Sequence, residues 1–184
     1  MASDRPPAAL ISENYRELQA QLHRERADYG EASEDWAPLV ARIVRQNGVR
    51  ALLDYGAGKQ RLSAALRKLL PEPLAVDSYD PAIPDISRPP EPAEMVACID
   101  VLEHVEPEFL DGVLDDLARV TSKVGFFTIA TGPARKVLTD GRNAHLIQQP
   151  LSWWLPRLQA RFRVARKSEL EGGFWVLVKP LRAA

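Results

Sequence analysis

The chain has 184 residues with 46% hydrophobic and 27% charged side chains, enough for one domain with a full core and short for two. A formal net charge of −1 gives no electrostatic case for a nucleic-acid partner. The single cysteine, Cys98, cannot form an internal disulfide, no Cys/His spacing reads as a metal motif, and no apolar run approaches the ~20 residues that span a bilayer. With no apolar targeting segment at the N-terminus, the expectation is a cytoplasmic protein with no membrane partner.

Residues 1–9 read as a proline-containing tail. Ile11, Tyr15, Leu18 and Leu22 fall four, three and four apart, a thin helical stripe that Asp28-Tyr29-Gly30 breaks. Trp36, Leu39, Val40, Ile43 and Val44 give a second, core-facing helix, with Ser33 as N-cap and Gly48 as stop. The first strand is expected over 49–55. Leu62, Ala65, Leu66, Leu69 and Leu70 form the next helix, ended by Pro71. A second strand covers 74–79 and closes at Asp80-Pro81.

Five prolines between 81 and 92 forbid a helix there and discourage a central strand. A strand over 95–99 follows. Pro107 opens a helix with Leu110, Val113, Leu114 and Leu117 on its buried face. Another strand covers 124–130, then a long loop to about residue 150. Leu151, Trp154, Leu155, Leu158 and Phe162 make the last helix, with Trp153 and Trp154 pointing to different faces. Strands over 163–167 and 174–178 close the chain as a hairpin around Gly172-Gly173. Alternation of strand and helix predicts a three-layer αβα sandwich with a mostly parallel sheet and an antiparallel last strand. The short, proline-rich connection after the second strand predicts a sheet trimmed at that edge to six strands.

Two strand ends carry the chemistry. After the first strand comes Asp54-Tyr55-Gly56-Ala57-Gly58, an acid running into a glycine turn. The dinucleotide fingerprint wants a third glycine where Arg61 stands, so a nicotinamide enzyme is disfavoured. The strand over 95–99 ends in Asp100-Val101-Leu102-Glu103-His104-Val105. Acidic loops at strand ends on one edge of a parallel sheet are where such sheets bind ligands.

These two segments resemble the glycine-rich motif and the post-strand "DVLEHV" motif of class I S-adenosylmethionine-dependent methyltransferases, the small-molecule type. The resemblance spans about residues 33–179. It departs at Gln60, where the family pattern has a third glycine whose replacement would crowd the helix start. It implies S-adenosylmethionine as cofactor, held by Asp54, Gly56, Gly58, Asp80, Asp100 and Val101. Asp80 would take the ribose hydroxyls, with Asp77 as rival. Glu103 and His104 are expected to cap and support the following helix. His145, in the polar island 140–147, would be the general base. Tyr15, Tyr29, Arg142 and Asn143 are candidate substrate contacts.

Residues 1–32 are expected to form a tail and lid helix, and 33–184 the cofactor-binding domain. The expected reaction moves a methyl group to an oxygen or nitrogen of a small-molecule or glycan acceptor, with no metal ligands. A degenerate methyltransferase fold acting as a binding or regulatory subunit is the alternative. The basic run Arg157, Arg161, Arg163, Arg166 and Lys167 is expected to be a solvated face.

Overall fold

The short apolar run Ala51–Tyr55 forms β1, the strand that carries the first acid to the sheet edge. The computed structural model describes residues 9–25 and 32–181. Within them the order is α1 (Glu13–Glu25), α2 (Ala32–Asn47), β1, α3 (Arg61–Leu69), β2 (Ala75–Tyr79), β3 (Ala93–Ile99), α4 (Leu110–Val120), β4 (Thr121–Ala130), α5 (Leu151–Gln159), β5 (Phe162–Leu170) and β6 (Gly173–Pro180). This is the expected alternation. Six strands form one sheet in the order β2-β1-β3-β4-β6-β5. β2, β1, β3 and β4 are parallel, and β6 runs antiparallel between β4 and β5. β2 is the outer strand, so the sheet ends where the proline loop begins. That loop holds only a single 3-10 turn, Pro84–Ile86.

Side chains of a strand point alternately to opposite faces, and β3 and β4 use both faces. Val96, Cys98, Phe127 and Ile129 pack with α4 and α5, around the fully buried Trp154. Met95, Ala97, Ile99, Val124 and Phe126 pack with α2 and α3. The central stretches of both strands, 95–99 and 124–127, therefore carry no charged or hydroxyl side chain, the pattern of a sheet covered on both faces. Trp153 is only partly buried, and the Arg157 guanidinium lies 3.5 Å from its ring centroid. Arg161 pairs with Asp111 and Asp115 of α4. One arginine of the basic run is thus paired with acids of α4.

Several boundaries differ from the sequence reading by one to three residues: β1 starts at Ala51, β2 at Ala75, α4 at Leu110 after a 3-10 turn at Pro107–Phe109, and both arms of the final hairpin are longer than expected. Ser33 lies inside α2 rather than capping it, because the helix already begins at Ala32. Phe162 satisfies the helical spacing from Leu158 but is the first residue of β5, paired with Pro180. β3 starts at Ala93, two residues early. β4 starts at Thr121, directly after α4, with no turn residue to announce it.

Gln60 also departs from its expected role in the glycine motif. It takes the left-handed conformation, φ 56° and ψ 32°, as the residue before α3, and its side chain is exposed. It therefore crowds nothing; its cost is backbone strain at a position suited to glycine. Removing the Cβ relieves about 1–2 kcal/mol of left-handed strain, partly offset by the entropy of a freer unfolded chain. Gln60→Gly is expected to stabilise the protein by about 1 kcal/mol, or about 2–4 °C in Tm. A thermal melt checks this, and a lower Tm would show that the Gln60 side chain contributes contacts of its own.

Candidate active site

The C-terminal ends of β1, β2 and β3 open into one cavity of about 580 Å³, within the range of small-molecule sites. Asp54, Gly56, Gly58, Asp80, Asp100, Val101 and His145 all line it, together with Tyr15, Gln19 and His23 from α1 and Ser33 from α2. Parallel strands put their carboxyl ends on one edge, which is why positions far apart in sequence meet here.

The glycine turn is fixed from below. The amides of Gly56 and Ala57 both donate to the Tyr79 carbonyl, at 2.7 and 3.0 Å. Gly56 has φ 77°, and a Cβ there would lie 2.3 Å from Cγ2 of Val101. Thus Gly56 makes room for Val101, which closes over the turn from the end of β3. Gly58, φ 48°, has its Cβ direction filled by the His23 ring at 3.0 Å.

Asp80 is buried and both its oxygens are engaged: Oδ2 accepts from the Gly58 amide at 3.1 Å and Oδ1 from the Ala82 amide at 2.9 Å. His23 Nε2 lies 3.9 Å from Oδ2. A carboxylate has about four acceptor sites, so two amides leave capacity for hydroxyl donors. Asp77, the rival, is exposed on the outer strand and its Oδ1 accepts from its neighbour Ser78.

Asp54 is 4% exposed and its Oδ2 meets no hydrogen-bond partner. Burial, with Asp80 adding like charge, pushes its carboxyl up to about 7. A buried carboxylate oxygen without a donor is costly, and a cationic amine in the cavity would relieve it. Asp100 has φ 52°, strain of the kind that persists where the surroundings enforce it. Thr128 enforces it: its hydroxyl donates to Oδ1 at 2.6 Å, while the Asp100 amide reaches Thr128 Oγ1 at 2.9 Å.

His104 and His145 meet edge to face, ring centroids 4.7 Å apart. Each ring is oriented by a backbone carbonyl. His104 Nδ1 lies 2.7 Å from the Ala144 oxygen and His145 Nδ1 lies 2.7 Å from the Gly132 oxygen. Burial, then the His145 charge, lowers the His104 pKa to about 3. Glu103 is fully buried behind them. Its Oε1 accepts from the Ala130 amide, and its carbonyl accepts from the Ile147 amide at 3.0 Å.

The four substrate candidates divide. Tyr15 lines the cavity, and its hydroxyl donates to the His104 carbonyl at 2.6 Å while accepting from Gln19. Tyr29 lies outside the described residues. Arg142 does not line the cavity: Asp140 holds its guanidinium at 2.7 Å, and the group sits 5.4 Å from the Tyr15 ring centroid. Asn143 is also off the lining. Its amide exchanges two hydrogen bonds with Ala134, and its Oδ1 accepts from the His145 amide. Asn143 therefore shapes the loop that aims His145 rather than meeting a substrate.

His23 went unremarked in the sequence, since a histidine on a thin helical stripe carries no signal until α1 is seen over the cavity. α1 is pinned there by Ser12, whose amide and hydroxyl both donate to Glu106, and by the Tyr15–His104 bond.

The methyltransferase-domain family matches residues 23–175. The chain belongs to that family. The expected kinship with class I S-adenosylmethionine-dependent methyltransferases therefore holds. No curated protein matches the chain by sequence. Among solved structures, it is similar to the 1,6-didemethyltoxoflavin-N1-methyltransferase of Burkholderia thailandensis, with bound 1,6-didemethyltoxoflavin and S-adenosylhomocysteine. The TM-score is 0.68 at 15% identity, over 97% of this chain and 93% of that one. It is similar to the mitomycin 7-O-methyltransferase MmcR, with TM-score 0.63 and 15% identity over 87% of this chain; it spans 60% of that longer protein. It is similar to the Bradyrhizobium japonicum N-methyltransferase NodS in complex with S-adenosylhomocysteine, with TM-score 0.59 and 9% identity over 91% and 100% of the two chains. At such identities the likeness is one of fold. Among the described residues, no helix is long and apolar enough to cross a membrane.

Proposed function

We propose that this protein transfers a methyl group from S-adenosylmethionine to a nucleophilic oxygen or nitrogen of a small molecule. The observation that carries the reading is Asp54: a buried carboxylate with an unpartnered oxygen, beside a glycine turn, in a family whose cofactor presents a cationic amine. Bound in this cavity, S-adenosylmethionine supplies a methyl group already activated by its sulfonium. The chain's residues then bind and align. Asp54 pairs with the amino group. Asp80 uses its remaining acceptor sites for the ribose hydroxyls. Asp100 and Val101 border the methionine part. α1 acts as the lid over residues 33–184, and Tyr15 borders the acceptor.

His145 stands at the cavity wall, where the acceptor's nucleophilic atom would lose its proton. The neighbours named above include an N1-methyltransferase with bound 1,6-didemethyltoxoflavin and a mitomycin 7-O-methyltransferase. They support a compact heteroaromatic or hydroxylated acceptor over a nucleic acid. The alternative of a degenerate binding subunit rests on Gln60 and on the trimmed sheet; the exposed Gln60 side chain weakens the first ground, while the sheet does end at β2.

S-adenosylhomocysteine at 100 times its dissociation constant is expected to stabilise the protein by about 2.7 kcal/mol, seen as a raised Tm, whereas NAD is expected to leave it unchanged. Equal shifts from both ligands, or none from either, would sink the reading. A panel of hydroxylated and amino acceptors, read by S-adenosylhomocysteine release, separates the enzyme from a binding subunit.

A further inference from the structure

Two histidines at the cavity wall, His104 and His145, and the buried Glu103 behind them are arranged for a task that methyl transfer alone does not require. Glu103, His104 and His145 each offer a donor atom, and these atoms lie within 4.8 Å of one another. They come from two segments, the turn after β3 and the loop after β4, which the fold brings together. We propose that they bind one divalent first-row transition-metal cation.

The first support is ring orientation. A carbonyl oxygen only accepts, so the contacts of Nδ1 with Ala144 and Gly132 place the proton of each neutral ring on Nδ1 and the lone pair on Nε2. Metal-ligating histidines are held in this manner, by a donor bond from the other ring nitrogen to a carbonyl or carboxylate. Two adjacent imidazoles so fixed are more ordered than groups that only fill space need to be. The second is Glu103. Its side chain is wholly buried, Oε1 is occupied by the Ala130 amide, and Oε2 meets no hydrogen-bond partner. Such an oxygen calls for a cation beside it. The third is distance. Ligands at about 2.0–2.2 Å around one cation are separated by roughly 3–3.5 Å, so donors within 4.8 Å close by small side-chain rotations.

Two imidazole nitrogens and a carboxylate oxygen favour Mn, Fe, Co, Ni or Zn over Mg or Ca, which prefer all-oxygen shells. Three protein ligands leave coordination positions open, and His104 and His145 line the cavity. An acceptor hydroxyl can occupy such a position. This deepens the methyl-transfer reading and rests on it. The cation lowers the hydroxyl's pKa, and its proton leaves to water. The oxygen–methyl bond then forms as the sulfur–methyl bond breaks, and sulfur keeps the electron pair. His145 would serve as a ligand of the cation and not as a free base, and oxygen acceptors would be preferred to nitrogen ones.

The test uses the tag-free chain, stripped with a chelator and titrated with Co²⁺ under calorimetry and visible absorption. One equivalent is expected to bind and give ligand-field bands. Glu103→Gln and His145→Ala are each expected to weaken Co²⁺ binding at least tenfold, while His23→Asn, the remaining histidine, keeps it. Mg²⁺ is expected not to compete. Circular dichroism and the Tm shift with S-adenosylhomocysteine certify that each variant is folded with its cofactor site intact. A folded, cofactor-binding chain that gives no Co²⁺ bands, or bands indifferent to both substitutions, overturns the metal site and leaves methyl transfer standing. Loss of the response to S-adenosylhomocysteine in the wild type overturns the methyl-transfer reading instead.

Discussion

His145→Asn is expected to lower turnover by about 10²–10⁴-fold, the range for acid–base groups, whether the ring takes the nucleophile's proton itself or acts through the proposed cation, with affinity for S-adenosylhomocysteine nearly unchanged. The separation follows from position. The cofactor contacts proposed above lie at the ends of β1, β2 and β3, whereas His145 comes from the loop after β4 and reaches the same cavity from another segment. Its ring is held at Nδ1 by Gly132 and its amide by Asn143. The substitution therefore removes a ring nitrogen from the cavity without touching the glycine turn. Asn143→Ala provides the contrast. It breaks the two bonds to Ala134 as well as the one to His145, so it should loosen the whole loop and weaken acceptor binding along with turnover. The check is the single-turnover rate measured beside the calorimetric affinity for S-adenosylhomocysteine. Near-normal turnover in His145→Asn would remove this residue from the chemistry.

The sheet was legible because its burial is two-sided. A strand covered on both faces needs mostly apolar residues on both, and 95–99 and 124–130 are apolar but for Thr128, whose hydroxyl is spent on Asp100. The strand-end acids were legible because a polar residue just after such a run must sit at the edge. The position of β6 between β4 and β5 was not legible in the same way. The sequence announces a hairpin at Gly172, φ 78°, but which arm joins the sheet interior depends on which has the more apolar faces. β6 alternates buried and half-buried residues where β5 is mostly exposed. Loop chemistry was hardest to read. Arg142, Asn143 and His145 look equivalent in a polar island, and only the hydrogen bonds separate the residue that enters the cavity from those that build the loop. Glu103 and His104 read in the sequence as support for the following helix. Their convergence with His145, a distant residue of the loop after β4, depends on tertiary folding that no spacing rule encodes.

Asp54→Asn is expected to weaken binding of S-adenosylhomocysteine by about 1.5–3 kcal/mol, the range for hydrogen bonds to a charged group, and to remove a pH dependence that the wild type shows. In the cofactor-free protein, burial and the nearby Asp80 hold the Asp54 carboxyl up at about 7. The other charged or titratable groups lining the cavity include Asp100 from the end of β3, His23 from α1 and Lys136 from the loop after β4. A cationic amine beside Asp54 favours its ionised form, so binding below pH 7 must expel a proton. Wild-type affinity should therefore rise with pH towards about 7, by at most about tenfold per pH unit, and then level off. In Asp54→Asn the rise should be absent.

Stability moves the other way. The folded pKa lies above the unfolded value of 3.8, so the native state holds this proton more tightly than the unfolded chain does. That contribution is complete below pH 3.8 and is lost as pH climbs through about 7. The cofactor-free Asp54→Asn variant should thus gain Tm relative to wild type at pH 8 and lose that advantage at pH 5. Calorimetry and thermal melts across pH 5–8 read both effects. A wild-type affinity that is flat in pH, with Asp54→Asn binding S-adenosylhomocysteine as tightly as wild type, would detach Asp54 from the cofactor's amine and require another residue to hold it.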